Sequence, residues 1–395
     1  MSYRTVTLGS IAKITSGGTP DRANASYWNG VIPWAKTAQI QNCAITANDI
    51  DEWITEKGLK ESSAKMVPEG TILMAMYGQG KTRGQVAILG LDAAINQACA
   101  AIHLQAGVDR DYVYQQLRFR YESIRGLSNV GGQENLNAEL IREIVFPLPG
   151  AYEQQAIARC LATWDAAIEM TEKLIKAQRG RLKAITHCTL APKINERDFR
   201  DPIGSLRADR IFENVSRKDF ASEPLLSVTQ EHGVIPRNML DPGVTMPTSA
   251  IDSFKLVEPG NFVISLRSFQ GGIEHSAYRG LVSPAYTVLR AIQPIDERYF
   301  RHYFRSADFI KRLSVAVVGI RDGKQISFQD FCSIKIPFPS IEAQRIISET
   351  LDTAEQELWL LRNQVAAFKM QKHGLMQKLL IGERQLKSFE REAAE

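Results

Sequence analysis

The sequence predicts an α+β protein in which two pseudo-symmetric globular domains are separated by two long helices that form an antiparallel coiled coil. Three observations lead to this prediction: a repeat that spans the chain, a mixture of β-type runs and helical stretches, and a heptad pattern after each copy of the repeat. With 395 residues, the chain is long enough for two domains that each bury a core of their own.

The repeat is visible in the amino-acid sequence itself. The run VPEGTILMAMYGQG starts at Val67 and has a weaker copy, VEPGNFVISLRSFQG, that starts at Val257, an offset of 257 − 67 = 190. The same offset pairs later positions: Gly70 with Gly260, Ile102 with Ile292, Pro147 with Pro337, Gln154 with Gln344, and Leu190 with Leu380. A period of this length indicates two related domains in tandem rather than a solenoid.

The first copy mixes the two types of local pattern. Short β-type runs cover Val67–Met76, Gly84–Leu89 and Ile144–Leu148, and a helical stretch lies near Tyr112–Arg125. We therefore expect an α+β domain with antiparallel strands. The predicted boundaries are 1–150 for the first domain, 151–191 for a spacer helix, 192–340 for the second domain, 341–381 for a second spacer helix, and 382–395 for a C-terminal tail.

Both spacer helices carry a heptad pattern, with steps of four and three residues between apolar positions. The predicted seam residues are Ile157, Leu161, Trp164, Ile168, Ile175, Leu182, Ile185, Ile347, Leu351, Leu358, Leu361, Val365, Phe368, Leu375 and Leu379. Only Lys372 interrupts the second seam, and Pro192 and Gly382 are placed to end the helices. Each helix could pack on its own domain. We favour pairing of the two helices with each other, which would make a spacer of fixed length.

Composition excludes several classes of protein. The net charge of +4 and the pI near 8.7 fit a polyanionic partner without requiring one. Five scattered cysteines and six histidines show no metal-ligand spacing, so we expect neither disulfides nor a metal site. The N-terminus lacks the apolar core of a signal peptide, and no apolar run is long enough for a membrane span. The chain is expected in the cytoplasm, without a membrane contact.

The pattern also argues against catalysis by this chain. Ala75–Thr82 resembles a phosphate-binding loop, but alanine replaces the first glycine and a strand, not a helix, is predicted to follow. Asp322-Gly-Lys324 is a lone acid-x-Lys triplet of the kind found in nucleases, and such triplets arise by chance. Neither a methyl-donor loop nor a nucleophile–base arrangement is evident. We predict a binding protein with no catalytic residue and no bound cofactor.

Polar side chains on glycine-rich turns are suited to reading DNA, because their donors and acceptors reach base edges and phosphates. In the first domain, the predicted contacts in the loop over 77–85 are Tyr77, Gln79, Lys81, Thr82, Arg83 and Gln85. The matching loop of the second domain supplies Arg267, Ser268, Gln270 and His275. The alternative interpretation is that these loops are merely solvated hairpin tips.

Further candidates lie at equivalent positions of the two copies. They are Lys36, Thr37 and Gln39 with Ser227, Thr229 and Gln230; Gln133 with Arg321, Lys324 and Gln325; and Thr19 in the opening motif of the first domain. The equivalent loops are polar in both copies, but their residues differ. Two domains built on one plan with different contact residues would read two different half-sites.

The chain resembles a known family. Ser16-Gly-Gly-Thr-Pro20, Tyr27-Trp-Asn-Gly30-Val-Ile-Pro-Trp34 and Ile95-Asn-Gln97 are similar to motifs of target recognition domains in specificity subunits of type I restriction-modification systems. Pro149…Gln154 and Pro339…Gln344, at the entry to the two helices, also resemble that family. The resemblance covers essentially the whole chain, but the second domain lacks the Gly-Gly-Thr-Pro opening.

The resemblance implies a non-catalytic subunit that binds double-stranded DNA and reads a bipartite, asymmetric sequence, one half per domain. The helices would set the gap between the halves and dock two methyltransferase subunits, joined by restriction subunits. S-adenosylmethionine, ATP and Mg would belong to those partners. The alternative is a protein-binding scaffold or restriction regulator that has this fold and does not read DNA.

Overall fold

The chain forms two compact units, and each combines one globular domain with parts of both long helices. The computed structural model describes residues 3–78, 81–127, 135–190, 204–240, 251–266, 268, 272–316 and 326–386. One unit consists of Met1–Glu172 with Gln364–Glu395, and the other of Lys173–Asn363. The compact units therefore divide each long helix between them.

The first unit contains the first domain. Its helices are α1 (Leu8–Ile11), α2 (Glu56–Lys60), α3 (Arg110–Phe119), α4 (Tyr121–Arg125) and α5 (Ala138–Arg142), followed by the start of the long helix α6 (Ala151–Leu190). Its strands are β1 (Arg4–Thr7), β2 (Ala12–Ser16), β3 (Trp28–Ala35), β4 (Ala44–Ile45), β5 (Trp53–Ile54), β6 (Met66–Val67), β7 (Ile72–Ala75), β8 (Val86–Leu89), β9 (Ala93–Ile95), β10 (Cys99–Leu104) and β11 (Val145–Leu148).

The second unit contains the second domain. Its strands are β12 (Gly204–Arg207), β13 (Phe212–Val215), β14 (Leu226–Thr229), β15 (Gly233–Pro236), β16 (Lys255–Val257), β17 (Phe262–Ile264), β18 (Glu274–His275), β19 (Gly280–Val282), β20 (Thr287–Ala291) and β21 (Lys335–Phe338). Its helices are α7 (Glu297–Phe304), α8 (Ala307–Ala316), α9 (Phe328–Cys332) and the start of the long helix α10 (Ile341–Leu380).

The two domains share one strand plan. The first has a sheet in the order β2-β10-β7-β8-β4 and a separate β1-β11 pair, and the second has β13-β20-β17-β18 and a β12-β21 pair. The pairing within these matched sheets is antiparallel, except that the edge strand β4 pairs in parallel with β8. A further sheet in the first domain has the order β5-β3-β9-β6. The predicted α+β fold class is confirmed.

The segment that resembles a phosphate-binding loop lies between two strands. It follows the end of β7 at Ala75, and the chain continues into β8 at Val86. A phosphate-binding loop needs a helix N-terminus after its glycines, and no such helix follows here. The predicted helical stretch over 112–125 is likewise present, as α3 and α4, which meet at Arg120.

A buried glutamine at the start of each long helix ties that helix to its domain. The Gln154 side-chain oxygen accepts from the Asp109 backbone N–H at 2.8 Å, while its amide donates to the Pro149 carbonyl at 2.8 Å. Gln344 makes the same pair of bonds with Asp296 N–H and Pro339 O, each at 2.9 Å. Asp109 and Asp296 cap α3 and α7, so each glutamine joins the starts of two helices. This contact explains the Pro…Gln motif.

The predicted heptad seam agrees with the burial along α6 and α10. Every residue named for the seam is buried or half-buried, and helix positions on other faces, such as Met170 at 74% and Met370 at 73%, are exposed. A stripe of this period is expected only when a second helix covers it.

The covering helix is the other long helix, and the two run antiparallel. In the first unit, Asp165 pairs with Lys372, and Glu172 pairs with Lys369 at 2.7 Å, so numbers rise along one helix as they fall along the other. The Trp164 and Phe368 rings meet edge to face with centroids 5.7 Å apart. In the second unit, Arg181 lies 3.9 Å from Glu357. The coiled-coil prediction is confirmed within each unit.

The helix ends also complete the domain cores, which the sequence analysis did not predict. Met376, Leu379 and Leu380 of α10 join the core cluster of the first domain, next to Ile157 and Leu161 of α6. Leu190 of α6 is buried in the core cluster of the second domain, and Leu182 and Ile185 pack against it. In each unit, the long helices therefore pack both on the domain and on each other.

Lys372 stands in the seam and is buried, with 5% of its surface exposed. Its ammonium donates to both carboxylate oxygens of Asp165, at 2.7 and 2.8 Å, and lies 3.3 Å from the Gln115 side-chain oxygen. Arg118 and Gln115 donate to the same carboxylate at 2.8 Å each. The interruption in the apolar pattern is therefore a satisfied buried ion pair, as a charge at this depth requires.

The terminus of α10 forms as the sequence predicts. Gly382 has φ +83°, a left-handed conformation that glycine adopts without strain, and Arg384 N–H donates to the Lys378 carbonyl at 3.0 Å. Pro192 lies outside the described residues. Among those described, no helix is both long enough and apolar enough to cross a membrane.

Replacing Gly180 or Gly374 by alanine is expected to raise the free energy of unfolding by about 1 kcal/mol each, because alanine costs less backbone entropy in a helix. A Cβ built on either glycine meets nothing within 4 Å, so close helix approach does not explain these glycines. Thermal melts of both variants would test this. Gly17→Ala is the contrasting control, since its Cβ would fall 2.0 Å from the Ile95 carbonyl oxygen and should destabilise the chain.

Candidate nucleic-acid interface

The opening motif of the first domain is held by backbone contacts that require glycine. Gly18 N–H donates to the Ile95 carbonyl at 2.9 Å, and a Cβ on Gly18 would lie 2.3 Å from the backbone of Ser63. Thr19, a predicted DNA contact, donates its hydroxyl to the Gln97 side chain. The Ser16–Pro20 and Ile95–Gln97 motifs thus form one contact, and their glycines serve packing rather than binding.

Two other predicted contacts of the first domain are engaged by acidic side chains. The Lys36 ammonium lies 2.9 Å from Asp51 and 2.5 Å from Glu52, and the Gln39 amide donates to Asp51 at 3.0 Å. The hydrogen bond from Lys36 holds the pKa of Asp51 below its usual value. Thr37 is half-buried beside them. Lys36 would have to exchange its carboxylate partners in order to bind a phosphate.

Arg22 is a cation near this cluster that the sequence analysis missed. Its guanidinium lies 3.9 Å from the centre of the Trp28 ring and 4.9 Å from that of Trp34, and it pairs with Glu52 at 2.5 Å. Its side chain is 54% exposed, so it remains accessible to a ligand. The signal was its position shortly before the Trp28-Asn-Gly-Val-Ile-Pro-Trp34 run, because arginine stacks on aromatic faces.

The loop over 77–85 is fastened to α4 at two points. Tyr121 donates its hydroxyl to the Lys81 carbonyl at 2.6 Å, and Arg83 donates to the Arg125 carbonyl at 3.0 Å. Arg83, Thr82 and Gln85 are half-buried, whereas Tyr77 (42%) and Lys81 are exposed. Gln79 lies outside the described residues. The loop is therefore a shaped turn, with Tyr77 and Lys81 as its most accessible predicted contacts.

In the second domain, three predicted contacts lie on the hairpin of β14 and β15. The Thr229 hydroxyl donates to the Gly233 carbonyl at 3.1 Å and accepts from the His232 N–H at 3.0 Å, which stabilises the turn. Ser227 is half-buried, and Gln230 is exposed at the hairpin tip. Gln230 is thus the most accessible of the three.

The remaining predicted contacts of this domain differ in accessibility. His275 packs against the Phe262 ring with centroids 5.2 Å apart and lies 3.1 Å from Glu297, and burial lowers its pKa. Ser268 is 1% exposed and accepts from the Ser265 N–H, so its hydroxyl stabilises the loop rather than facing a ligand. Gln133, Arg267, Gln270, Arg321, Lys324 and Gln325 lie outside the described residues.

Glu274 is a buried acid that the sequence analysis did not identify. It is 3% exposed, its Oε1 atom has no hydrogen-bond partner among the described residues, and Arg305 Nε lies 3.6 Å from Oε2. Burial, only partly offset by Arg305, raises the pKa of Glu274 to about 7. An unsatisfied carboxyl at this depth opposes folding, and such groups concentrate at functional sites.

Glu274→Gln is expected to make the stability of the second domain less dependent on pH. A folded-state pKa near 7, above the unfolded value of 4.5, means that the stability contributed by Glu274 is complete below pH 4.5 and is lost as the pH rises through 7. The loss amounts to roughly 3 kcal/mol. Melting temperatures at pH 5 and pH 8 should therefore diverge less in the glutamine variant. Parallel pH profiles for the two proteins would contradict the raised pKa.

One cluster has the composition of a metal site, but its surroundings indicate an ion-pair network. Ligand atoms of His302, Asp352 and Glu355 lie within 4.8 Å of one another. Arg301 also lies 2.5 Å from Asp352 and 3.6 Å from Glu355, and Arg298 lies 3.7 Å from Asp352. Two guanidinium groups at Asp352, one of which also lies at Glu355, already offset the negative charge of these carboxylates, which leaves little attraction for a cation.

Comparisons with known proteins agree with this architecture. The family described as type I restriction modification DNA specificity domain matches residues 2–178. The MjaIX specificity subunit of Methanocaldococcus jannaschii is 31% identical over 166 residues, which cover 41% of this chain and 38% of that protein. The EcoR124I/EcoR124II specificity subunit of Escherichia coli is 27% identical over 165 residues, or 40% of each chain. The matches thus span about two fifths of the length of these two relatives.

Other matches extend over nearly the whole chain. The MjaVIII specificity subunit of M. jannaschii is 21% identical over 416 aligned positions, 98% of this chain and 94% of that protein. The crystal structure of a type I S subunit from M. genitalium has a TM-score of 0.58 at 16% identity and covers 98% of this chain and 97% of its own. That likeness shows a shared fold. Residues 2–178 thus match the model of the type I restriction modification DNA specificity domain, and similarity to a type I restriction enzyme specificity subunit extends along nearly the whole chain.

Proposed function

We propose that this chain is the DNA-reading subunit of a type I restriction-modification complex, with one half of a bipartite, asymmetric sequence read by each domain. The observation that carries the proposal is the duplicated plan with different contact surfaces: Lys36 and Gln39 face acidic partners in the first domain, whereas Gln230 lies beside Arg305 in the second. Two domains that share one strand plan but present different contact residues are suited to two half-sites of different sequence.

The proposed contacts are the side chains named above that are not turned inward. Phosphate contacts would supply most of the affinity, and contacts with base edges would supply specificity. In the first domain we propose Tyr77, Lys81 and Arg83 together with Arg22, which the ring of Trp28 supports. In the second domain we propose Gln230 and His275. The predicted contacts Arg267, Gln270, Arg321, Lys324 and Gln325, which lie outside the described residues, remain part of the proposal.

The partners follow from the same proposal. Two methyltransferase subunits would bind the paired helices, and restriction subunits would join that complex, which would act on cytoplasmic DNA. S-adenosylmethionine, ATP and Mg would be bound by those partners, and this chain would contribute no catalytic group. The helices would fix the number of unspecified base pairs between the half-sites.

The experiment is to co-express the chain with its methyltransferase subunits and sequence the methylated genome. A motif with two different specified halves and a constant gap supports the proposal. A complex that forms and binds no DNA in a gel shift would overturn it, and would favour the scaffold or restriction regulator instead. The Arg22→Ala variant should lose one half of the motif, and its control Arg207→Ala, an exposed arginine paired with Asp209, should not.

A further inference from the structure

Two adjoining cavities in the second domain bring together residues that lie far apart in the sequence. One, of about 200 Å³, is lined by Thr229, Gln230, Ser265, Gly272 and Glu274. The other, of about 290 Å³, has Glu274 in its wall as well, together with His232, His275 and Arg305 among others. Predicted DNA contacts from the hairpin and from β18 therefore surround one buried carboxyl group.

Glu274 distinguishes the second domain from the first. The repeat offset of 190 matches Leu73 to Val263, and the strand partners of these residues are Ala87 and Glu274. Ala87 is fully buried in an apolar cluster, so the shared fold does not require an acid at this position. A destabilising group present in one copy only indicates a role in what that copy binds.

Arg305 connects this carboxyl to the hairpin. Its Nε lies 3.6 Å from Glu274, and its Nη2 donates to the Gln230 carbonyl at the hairpin tip. The arginine side chain is 34% exposed. A guanidinium carries five N–H donors in a rigid plane, so one held at these two points can still present its other donors outward.

We propose that Arg305 contacts DNA in the half-site read by the second domain, and that Glu274 is the positioning residue that orients it. This inference rests on the proposed function. The ligand is an anionic or acceptor-rich surface that takes two parallel N–H bonds, either a backbone phosphate or the edge of a guanine. Glu274 and Arg305 lie 31 positions apart and share no motif, so no local pattern in the sequence connects them.

This pair makes DNA binding depend on the protonation state of the Glu274 carboxyl. When the Arg305 guanidinium forms hydrogen bonds with DNA, it stabilises the ionised carboxylate of Glu274 less. The complex with DNA therefore favours the protonated form of Glu274. Binding should thus weaken as the pH rises from 6 to 8. The other charged and titratable groups that line the cavity are His232 and Glu231 of the hairpin, His275 of β18, Arg301 of α7 and Glu355 of α10.

The first arm of the test compares Arg305→Ala with Arg290→Ala in the complex with methyltransferase subunits. Arg290 is an exposed arginine of the same domain, 52% exposed and paired with Glu213. On duplexes carrying the methylated motif, Arg305→Ala should weaken binding roughly 5- to 150-fold, the range for one good contact. A loss confined to one base pair of the second half-site indicates a guanine, and a loss on every sequence indicates a phosphate. Equal affinity for the two variants would overturn the proposal.

The second arm tests positioning. Glu274→Gln keeps a side-chain oxygen for Arg305 and removes the charge, so binding should be retained while its decline between pH 6 and pH 8 becomes shallower. Glu274→Ala removes the acceptor and should match Arg305→Ala. A melt of each variant checks folding. Normal binding by Glu274→Ala, or a glutamine variant with an unchanged pH profile, would count against a positioning role.

The outcomes separate the proposed function from the role of Arg305 and Glu274. A wild-type complex without sequence-specific binding would remove the proposed function itself. A wild-type complex that binds its motif normally, with Arg305 and Glu274 variants indistinguishable from Arg290→Ala, would remove only the role of this pair.

Discussion

Replacing Asp165 by alanine is expected to destabilise the first unit by about 3 kcal/mol, because it leaves Lys372 buried without its carboxylate. Only 6% of the lysine side chain is exposed, and Asp165 accepts from Lys372, Arg118 and Gln115 together. Chemical unfolding of the full chain would measure the loss. The matched control is Glu172→Ala, whose pair with Lys369 is more than half exposed on the lysine side and should cost less than about 1 kcal/mol.

A double variant separates the charge pair from the geometry. Leu182 stands at the position that matches Lys372 by the repeat, 372 − 190 = 182, and packs against the second core. Asp165→Ala combined with Lys372→Leu should therefore recover most of the stability, since a buried pair can be replaced by apolar packing. If Asp165→Ala and Glu172→Ala have equal effects, the buried pair does not stabilise the seam.

The same pair predicts a pH dependence. Burial alone would raise the pKa of Asp165, but Arg118, Lys372 and Gln115 outweigh it and hold the pKa below its usual value. A depressed carboxyl pKa contributes stability that is complete above the unfolded value and is lost as the pH falls through the folded one. Acid unfolding of the wild type should therefore include a component that Asp165→Ala lacks.

Inserting one heptad in each long helix is expected to lengthen the unspecified gap by about 3 base pairs without altering either half-site. Seven residues add roughly 10 Å of helix, and each base pair occupies about 3.4 Å. Because Arg181 pairs with Glu357, an insertion after Ala177 is matched by one after Leu361. Seven residues keep the seam in phase on both helices. Methylome sequencing of cells with the variant complex would report the gap.

Two controls sharpen this experiment. An insertion in α6 alone leaves seven residues without seam partners and should abolish methylation. An insertion of seven glycine-rich residues in both helices should do the same, since glycine disfavours the helix. An unchanged gap in the matched variant would show that the helices do not set the distance between half-sites. Lower affinity is expected as well, because 3 base pairs turn the second half-site by roughly 100° around the duplex.

Several features were accessible from the sequence because they depend on local periodicity. The seam residues follow from a repeat of 3.5 residues, and the end of α10 follows from Gly382, whose φ of +83° suits glycine. The break at Lys372 was visible as an exception to the pattern. Its partner Asp165 was not, because it lies 207 residues away and at no seam position.

The candidate interface was less predictable. The glycine-rich turns were found, but sequence alone could not tell which of their side chains face outward: Ser268 is buried, while Arg22 lies over Trp28 and is exposed. Glu274 and Arg305 were missed because a glutamate in a short β-type run looks like an ordinary surface residue. Its burial depends on the hairpin and α7, which pack over it.

The sequence by itself determined the duplicated plan, the two long helices and their apolar seams, since each is encoded in the spacing of neighbouring residues. Tertiary structure decided that the end of each helix completes a domain core, that Lys372 forms an ion pair with Asp165, and that Glu274 lies beside Arg305. Those contacts join segments far apart along the chain, and the free energy of burying them arises only when the whole unit has folded.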